Sequence, residues 1–159
     1  MAQATPSVLF VCTGNICRSP TAQALLLRKA AAQGIAVETD SAAVTDEEVG
    51  NPPDRRALHE LQRRGVPMPP HRARLIEPRD YRHFDLILGM TAQHVRALQR
   101  LAPPEATAKL GLLMDYADGD DAIDVPDPWY GGPQDFVAAF DMIEAGVDGL
   151  LRSWALARG

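Results

Sequence analysis

An apolar run that stops on a cysteine constrains this chain more than any other feature. Val8 to Val11 is short, β-branched and aromatic, which suits a buried strand. Further on, Ser19 and Pro20 read as a capping hydroxyl and a proline at the first helical position. The residues between, Cys12 to Arg18 in "VLFVCTGNICRSP", are therefore predicted to form a tight turn joining a strand to a helix.

The rest of the chain repeats the strand–helix theme. Thr21 to Gln33 reads as a helix stopped by Gly34, and Ile35 to Thr39 as a second strand, with a loop from Asp40 to Pro53. Asp54 is placed to cap a helix that Gly65 ends. Phe84–Leu88 and Leu110–Met114 read as the third and fourth strands, separated by a helix capped by Thr91. A last helix sets Phe136, Val137, Phe140, Ile143, Val147, Leu150, Leu151 and Trp154 on one broad face. Gly146 and Gly149 interrupt it, each at a cost of about 1 kcal/mol against alanine. Strands separated by helices imply an α/β fold, a parallel sheet covered on both faces, in one domain spanning residues 1–159. Ligands of such sheets bind outside the carboxyl ends of the strands, where Cys12 to Arg18 falls.

Composition narrows the function. Of 159 residues, 46% are apolar and 23% charged, which is globular, and no run of about 18 apolar residues predicts a membrane span. A net charge of −5 with dispersed arginines disfavours nucleic-acid binding. Two cysteines are too few for a disulfide scaffold or a four-cysteine zinc site. The first residues lack the layout of a secretory signal, so the expected location is cytoplasmic, where a free thiol can act as a nucleophile.

The turn itself is suited to anions. A glycine-containing strand-to-helix turn aims backbone N–H groups inward, and the helix N-terminus adds partial positive charge. Arg18 adds a planar fork of donors that matches phosphate oxygens. The same field favours a thiolate at Cys12, placed beneath a bound phosphate for in-line attack. Expelling an alkoxide or phenoxide also needs a proton donor, and here the residues leave several: Asp115, Asp118, Asp120, Asp121, Asp124 and Asp127. Their spacing does not match a calcium-binding EF-hand loop.

"VCTGNICRSP" closely resembles the active-site signature of the low-molecular-weight protein tyrosine phosphatases, and the resemblance extends over nearly the whole chain. It implies a four-stranded parallel sheet and hydrolysis of phosphotyrosine through a phosphocysteine, with no cofactor and no metal. By position, Cys12 is the nucleophile, Arg18 the phosphate clamp, and the backbone of Thr13, Gly14, Asn15, Ile16, Cys17 and Arg18 the cradle, with Ser19 beside it. The family carries its general acid in an Asp-Pro-aromatic-aromatic motif, which selects Asp127 in "DPWY" and makes Trp129 and Tyr130 pocket residues. Ser41 and His71 match positions that support Asn15, Ser19 and the loop. Glu47 stands where a number of relatives have a pocket-wall tryptophan.

The implied partners are tyrosine-phosphorylated proteins or peptides, with phosphate and similar oxyanions as inhibitors, and the chain is expected to be a monomer or weak dimer. Related arginine-phosphate phosphatases tend to have threonine where this chain has Ile16, and that activity is the alternative, beside a non-catalytic phosphate-binding module. Cys17 has two readings, a packed residue or a thiol that resolves an oxidised Cys12 as a disulfide. His59, His83 and His94 read as structural or solvent-facing.

Overall fold

The computed structural model describes residues 5–118 and 123–158, with side chains as far as residue 155. Four strands, β1 (Ser7–Cys12), β2 (Glu38–Ala43), β3 (Leu86–Gly89) and β4 (Lys109–Leu112), form one sheet in the order β2-β1-β3-β4. Every pairing is parallel. The helices are α1 (Arg18–Ala32), α2 (Arg55–Arg63), α3 (Asp80–His83), α4 (Ala92–Leu101) and α5 (Pro133–Arg158).

Alternation along β1 divides the core in two. Val8, Phe10 and Cys12 pack with Leu25 and Leu26 of α1, Leu61 of α2, and Phe140, Ile143 and Val147 of α5. Leu9 and Val11 pack on the other face with Tyr81, Phe84, Ile87 and Leu98. All four apolar residues from Val8 to Val11 are fully buried. Each contributes roughly 1.5–3 kcal/mol through that burial. The chain steps from β1 outward to β2 and then returns to the other side of β1 for β3, so the sheet's switch point lies beside the end of β1.

Three local expectations are corrected. The second strand lies at 38–43 rather than 35–39, because Ser41, Ala42 and Ala43 pair with Phe10, Val11 and Cys12 despite their modest strand character. The first helix begins at Arg18, with Cys17 at the cap and no capping side chain. Ser19 lies inside it and turns its hydroxyl toward the preceding loop. Finally, β4 ends at Leu112, and Leu113–Tyr116 tightens into a 3-10 turn on which α5 packs.

That packing explains the glycines of α5. A Cβ on Gly149 would lie 1.7 Å from the Tyr116 carbonyl oxygen, and one on Gly146 would lie 2.7 Å from Leu113 Cγ. Close approach, rather than helix propensity, decides these positions. At the start of α4, Thr91 and His94 form a reciprocal capping box. The Thr91 hydroxyl accepts from the His94 N–H, and His94 Nδ1 accepts from the Thr91 N–H, both at 3.2 Å. Burial pushes the His94 imidazole from 6.5 down to about 4; Arg18 adds to the shift, and Asp124 and Asp127 oppose it.

Two outcomes follow. Gly149→Ala, stabilising by propensity alone, is expected to lower stability by about 2 kcal/mol and Tm by several degrees, measurable by thermal unfolding. Between about pH 6.5 and 4 the unfolded chain binds a proton at His94 that the folded chain excludes. Stability from the neutral imidazole is therefore complete above about pH 6.5 and is lost, to the extent of about 3 kcal/mol, as pH falls through about 4. Urea unfolding across this range should show that slope in the wild type and a flatter one in His94→Asn.

Candidate active site

Between β1 and α1 the backbone must reverse within five residues, and Asn15 makes this possible. It adopts φ 61°, the left-handed conformation that asparagine tolerates better than most residues. Its fully buried side chain is held on both sides. The amide nitrogen donates to Ser19 Oγ at 2.8 Å, and Oδ1 accepts from the Arg74 N–H at 3.0 Å. His71 Nε2 donates to both Asn15 Oδ1 and Asn15 O, at 3.1 and 3.2 Å. Burial holds the His71 imidazole below its ordinary range, opposed by its bond to Asn15 and by Asp40.

Five of the loop carbonyls, those of Cys12, Thr13, Asn15, Ile16 and Cys17, are engaged by the scaffold. Val44 N–H donates to Cys12 O, and Thr45 N–H and hydroxyl both donate to Thr13 O. His71 takes Asn15 O, Asp54 N–H donates to Ile16 O at 2.7 Å, and Thr21 N–H donates to Cys17 O. The N–H groups from Gly14 to Arg18 have no acceptor among the described residues. Tying the oxygens to the scaffold turns the amide dipoles toward the cavity, which makes an anion nest.

Cys12 lines this cavity of about 210 Å³ while remaining buried. Ser19 Oγ lies 3.0 Å from its sulfur, and Ser19 N–H donates to the sulfur at 3.4 Å. Cys17 also borders the cavity, but it belongs to the core, and burial pushes its thiol far above the ordinary range, with Cys12 and Asp54 adding to the effect. The packed-residue reading fits that environment.

Arg18 and the acidic loop are joined across the site. Arg18 is buried, and its Nη1 donates to Val125 O at 2.9 Å. Its Nη2 lies 3.7 Å from Asp127 Oδ2. Val125 N–H donates in turn to Met90 O at the end of β3, and Asp124 accepts from the Ala92 N–H at the start of α4. The half-exposed Asp127 accepts from the Trp129 N–H at 3.0 Å and opens a 3-10 turn over Pro128–Tyr130.

Of the remaining acids, Asp115 and Asp118 are exposed and do not border this cavity, and Asp120 and Asp121 lie outside the described residues. Among the described residues no cluster of three or more His, Cys, Asp or Glu is placed to hold a metal.

Thr13, Gly14, Ile16, Glu47, Trp129 and Tyr130 all border the cavity, joined by Glu48. Ser41 does not reach the loop: its hydroxyl donates to Gln23 Oε1 of α1 at 2.7 Å, so it supports the helix behind the site rather than Asn15 or Ser19.

Two residues were missed. Arg56 donates to Trp129 O at 2.9 Å and lies 4.9 and 4.8 Å from the ring centroids of Trp129 and Phe136. It thereby straps the acidic loop to α2. An arginine two residues after a cap, with aromatics far along the chain, leaves no local signal. His94, read as structural or solvent-facing, is buried and lies 2.9 Å from Thr13 Oγ1. Its position at the third residue of a capped helix was the available clue.

The chain as a whole is similar to known proteins. Residues 7–158 match the family model described as low molecular weight phosphotyrosine protein phosphatase. A human protein of that name is 43% identical over 142 residues, 87% of this chain and 89% of its own. The crystal structure of YfkJ from Bacillus subtilis superposes with a TM-score of 0.90 at 34% identity, covering 100% of both chains. A Drosophila arginine phosphatase structure reaches a TM-score of 0.86 at 31% identity, over 92% of this chain and 96% of that one. On sequence and fold together, the chain belongs to the low molecular weight phosphotyrosine protein phosphatase family.

Proposed function

We infer that this protein hydrolyses phosphotyrosine, and small aryl phosphates, through a phosphocysteine. The observation that carries this reading is the loop itself: a sulfur in contact with the Ser19 hydroxyl and accepting from the Ser19 N–H, bordered by loop N–H groups that have no acceptor among the described residues, with Arg18 on the same cavity. A phosphoryl dianion in that nest presents phosphorus to Cys12 Sγ. The S–P bond forms as the P–O(aryl) bond breaks, and Asp127 delivers its proton to the departing phenolic oxygen. The nest and Arg18 stabilise charge on the equatorial oxygens. The Asp127 carboxylate then takes a proton from water as that water attacks phosphorus, releasing inorganic phosphate and regenerating the thiolate. No step calls for a metal or a cofactor.

Ile16, Trp129 and Tyr130 support an aryl substrate, since they offer apolar and aromatic surface at the cavity rim. Phosphoarginine is the second reading, favoured by the likeness to the Drosophila arginine phosphatase. The apolar Ile16 side chain weighs against it, because a polar guanidinium gains no hydrogen bond there. Substrates are proposed to be tyrosine-phosphorylated proteins, acted on by a single-domain monomer or weak dimer in the cytoplasm. No helix among the described residues is long and apolar enough to cross a membrane.

Cys12→Ser is expected to lose more than about 10⁴-fold in kcat on p-nitrophenyl phosphate, with wild-type turnover persisting in excess EDTA. Asp127→Asn should lose about 10²–10⁴-fold on tyrosyl phosphate, whose leaving group needs the proton, and less on p-nitrophenyl phosphate. Turnover by the serine variant at the wild-type rate would defeat the reading. A panel of phosphotyrosine, phosphoserine and phosphoarginine peptides should rank phosphotyrosine first by kcat/KM; phosphoarginine in first place would select the alternative.

A further inference from the structure

His94 is a buried imidazole that none of the steps above uses, and it is aimed at the phosphate loop. Its tautomer follows from its partners. Nδ1 accepts from the Thr91 N–H, so in the neutral ring Nε2 carries the hydrogen. Nε2–H therefore donates to Thr13 Oγ1, 2.9 Å away and 81 residues distant in sequence. Among the described residues Thr13 Oγ1 has no other partner, and Thr13 lines the cavity. With one lone pair taken by His94, the hydroxyl proton is directed away from the imidazole.

The helix brings His94 there through a close approach. A Cβ on Gly89, at the end of β3, would lie 2.8 Å from His94 Cβ and 3.3 Å from Val95 N. Glycine lets the first turn of α4 seat on the strand end next to β1. A capping box alone would be served by a solvent-facing Glu or Gln at the third helical position. An imidazole buried there, beside Arg18, Asp124 and Asp127, carries a desolvation cost that capping does not require.

We propose that His94 is a positioning residue that fixes the Thr13 hydroxyl as a hydrogen-bond donor to the bound phosphoryl group. Thr13 thereby supplements the backbone nest with a side-chain donor whose direction is set before substrate arrives. The inference rests on the phosphatase reading of the same cavity.

The test measures inorganic-phosphate affinity by calorimetry and kcat/KM on p-nitrophenyl phosphate. Thr13→Val should weaken both by about ten-fold, the size expected for one hydrogen bond to a charged group, and Thr13→Ser by less. His94→Asn keeps an acceptor near the Nδ1 position for the cap but cannot reach Thr13, and it should show the same loss as Thr13→Val. His94→Gln places an amide nitrogen near the Nε2 position and should restore most of it. The Thr13→Val/His94→Asn double variant should be no worse than either single one, a non-additivity that a purely structural role would not produce.

Wild-type phosphate affinity in folded Thr13→Val would overturn the proposal, as would losses that simply add. Should His94→Asn fail to fold, the Thr13 pair decides alone. Because phosphate binding is read without turnover, this result is independent of whether Cys12→Ser abolishes catalysis.

Discussion

The site depends on one strained residue held in place. Asn15 adopts a left-handed backbone, and Ser19, His71 and the Arg74 N–H hold its side chain there. That conformation lets the strand turn into the helix within a few residues while leaving the carbonyls outside and the amides inside. Positive potential is thus built from the peptide backbone, which needs no reorganisation when an anion arrives. Ser19 links the two halves of the arrangement, accepting from Asn15 while touching the sulfur of Cys12. A single hydroxyl thus couples backbone shape to the environment of the Cys12 sulfur.

Arg18 performs a similar double duty toward Asp127. It belongs to the first turn of α1, yet it donates to Val125 O and approaches Asp127. The acidic loop is further anchored to the end of β3 and to the start of α4. Arg18 and the Asp127 carboxyl are consequently referenced to the same strand ends, so the sheet sets their separation from the Cys12 sulfur. The charge relations fit that arrangement: Arg18 offsets the carboxylate next to an anion-binding loop, and the buried His94 contributes shape and a dipole without adding charge.

Much of this was legible beforehand, for identifiable reasons. β1 stood out because four consecutive buried apolar residues end at a turn, and the loop because thiol, glycine, asparagine and arginine occur at a spacing that chemistry recognises. β2 was misplaced because "ETDSAA" carries little strand character of its own; its edge is specified by pairing with β1. The partner of Ser41 is not legible in the sequence, because a hydroxyl's direction depends on which face of that strand it occupies, and here it meets Gln23 of α1. His94 and Arg56 escaped because their partners lie 81 and 73 residues away, and long-range contacts leave no periodicity to read. Local sequence announces elements and nucleophiles; it is silent about side chains that act across the fold.

The strap formed by Arg56 bears on how members of such a family diversify. Asp54 donates its N–H to Ile16 O of the phosphate loop and accepts from Arg56, which in turn grips the carbonyl and ring of Trp129. The aromatic rim of the cavity and the loop after β1 therefore share a brace at the beginning of α2. Transplanting the aromatic segment between homologues would carry its chemistry but not its registration. A chimera exchanging selectivity would have to move Asp54, Arg56 and the aromatic rim as one inherited cassette.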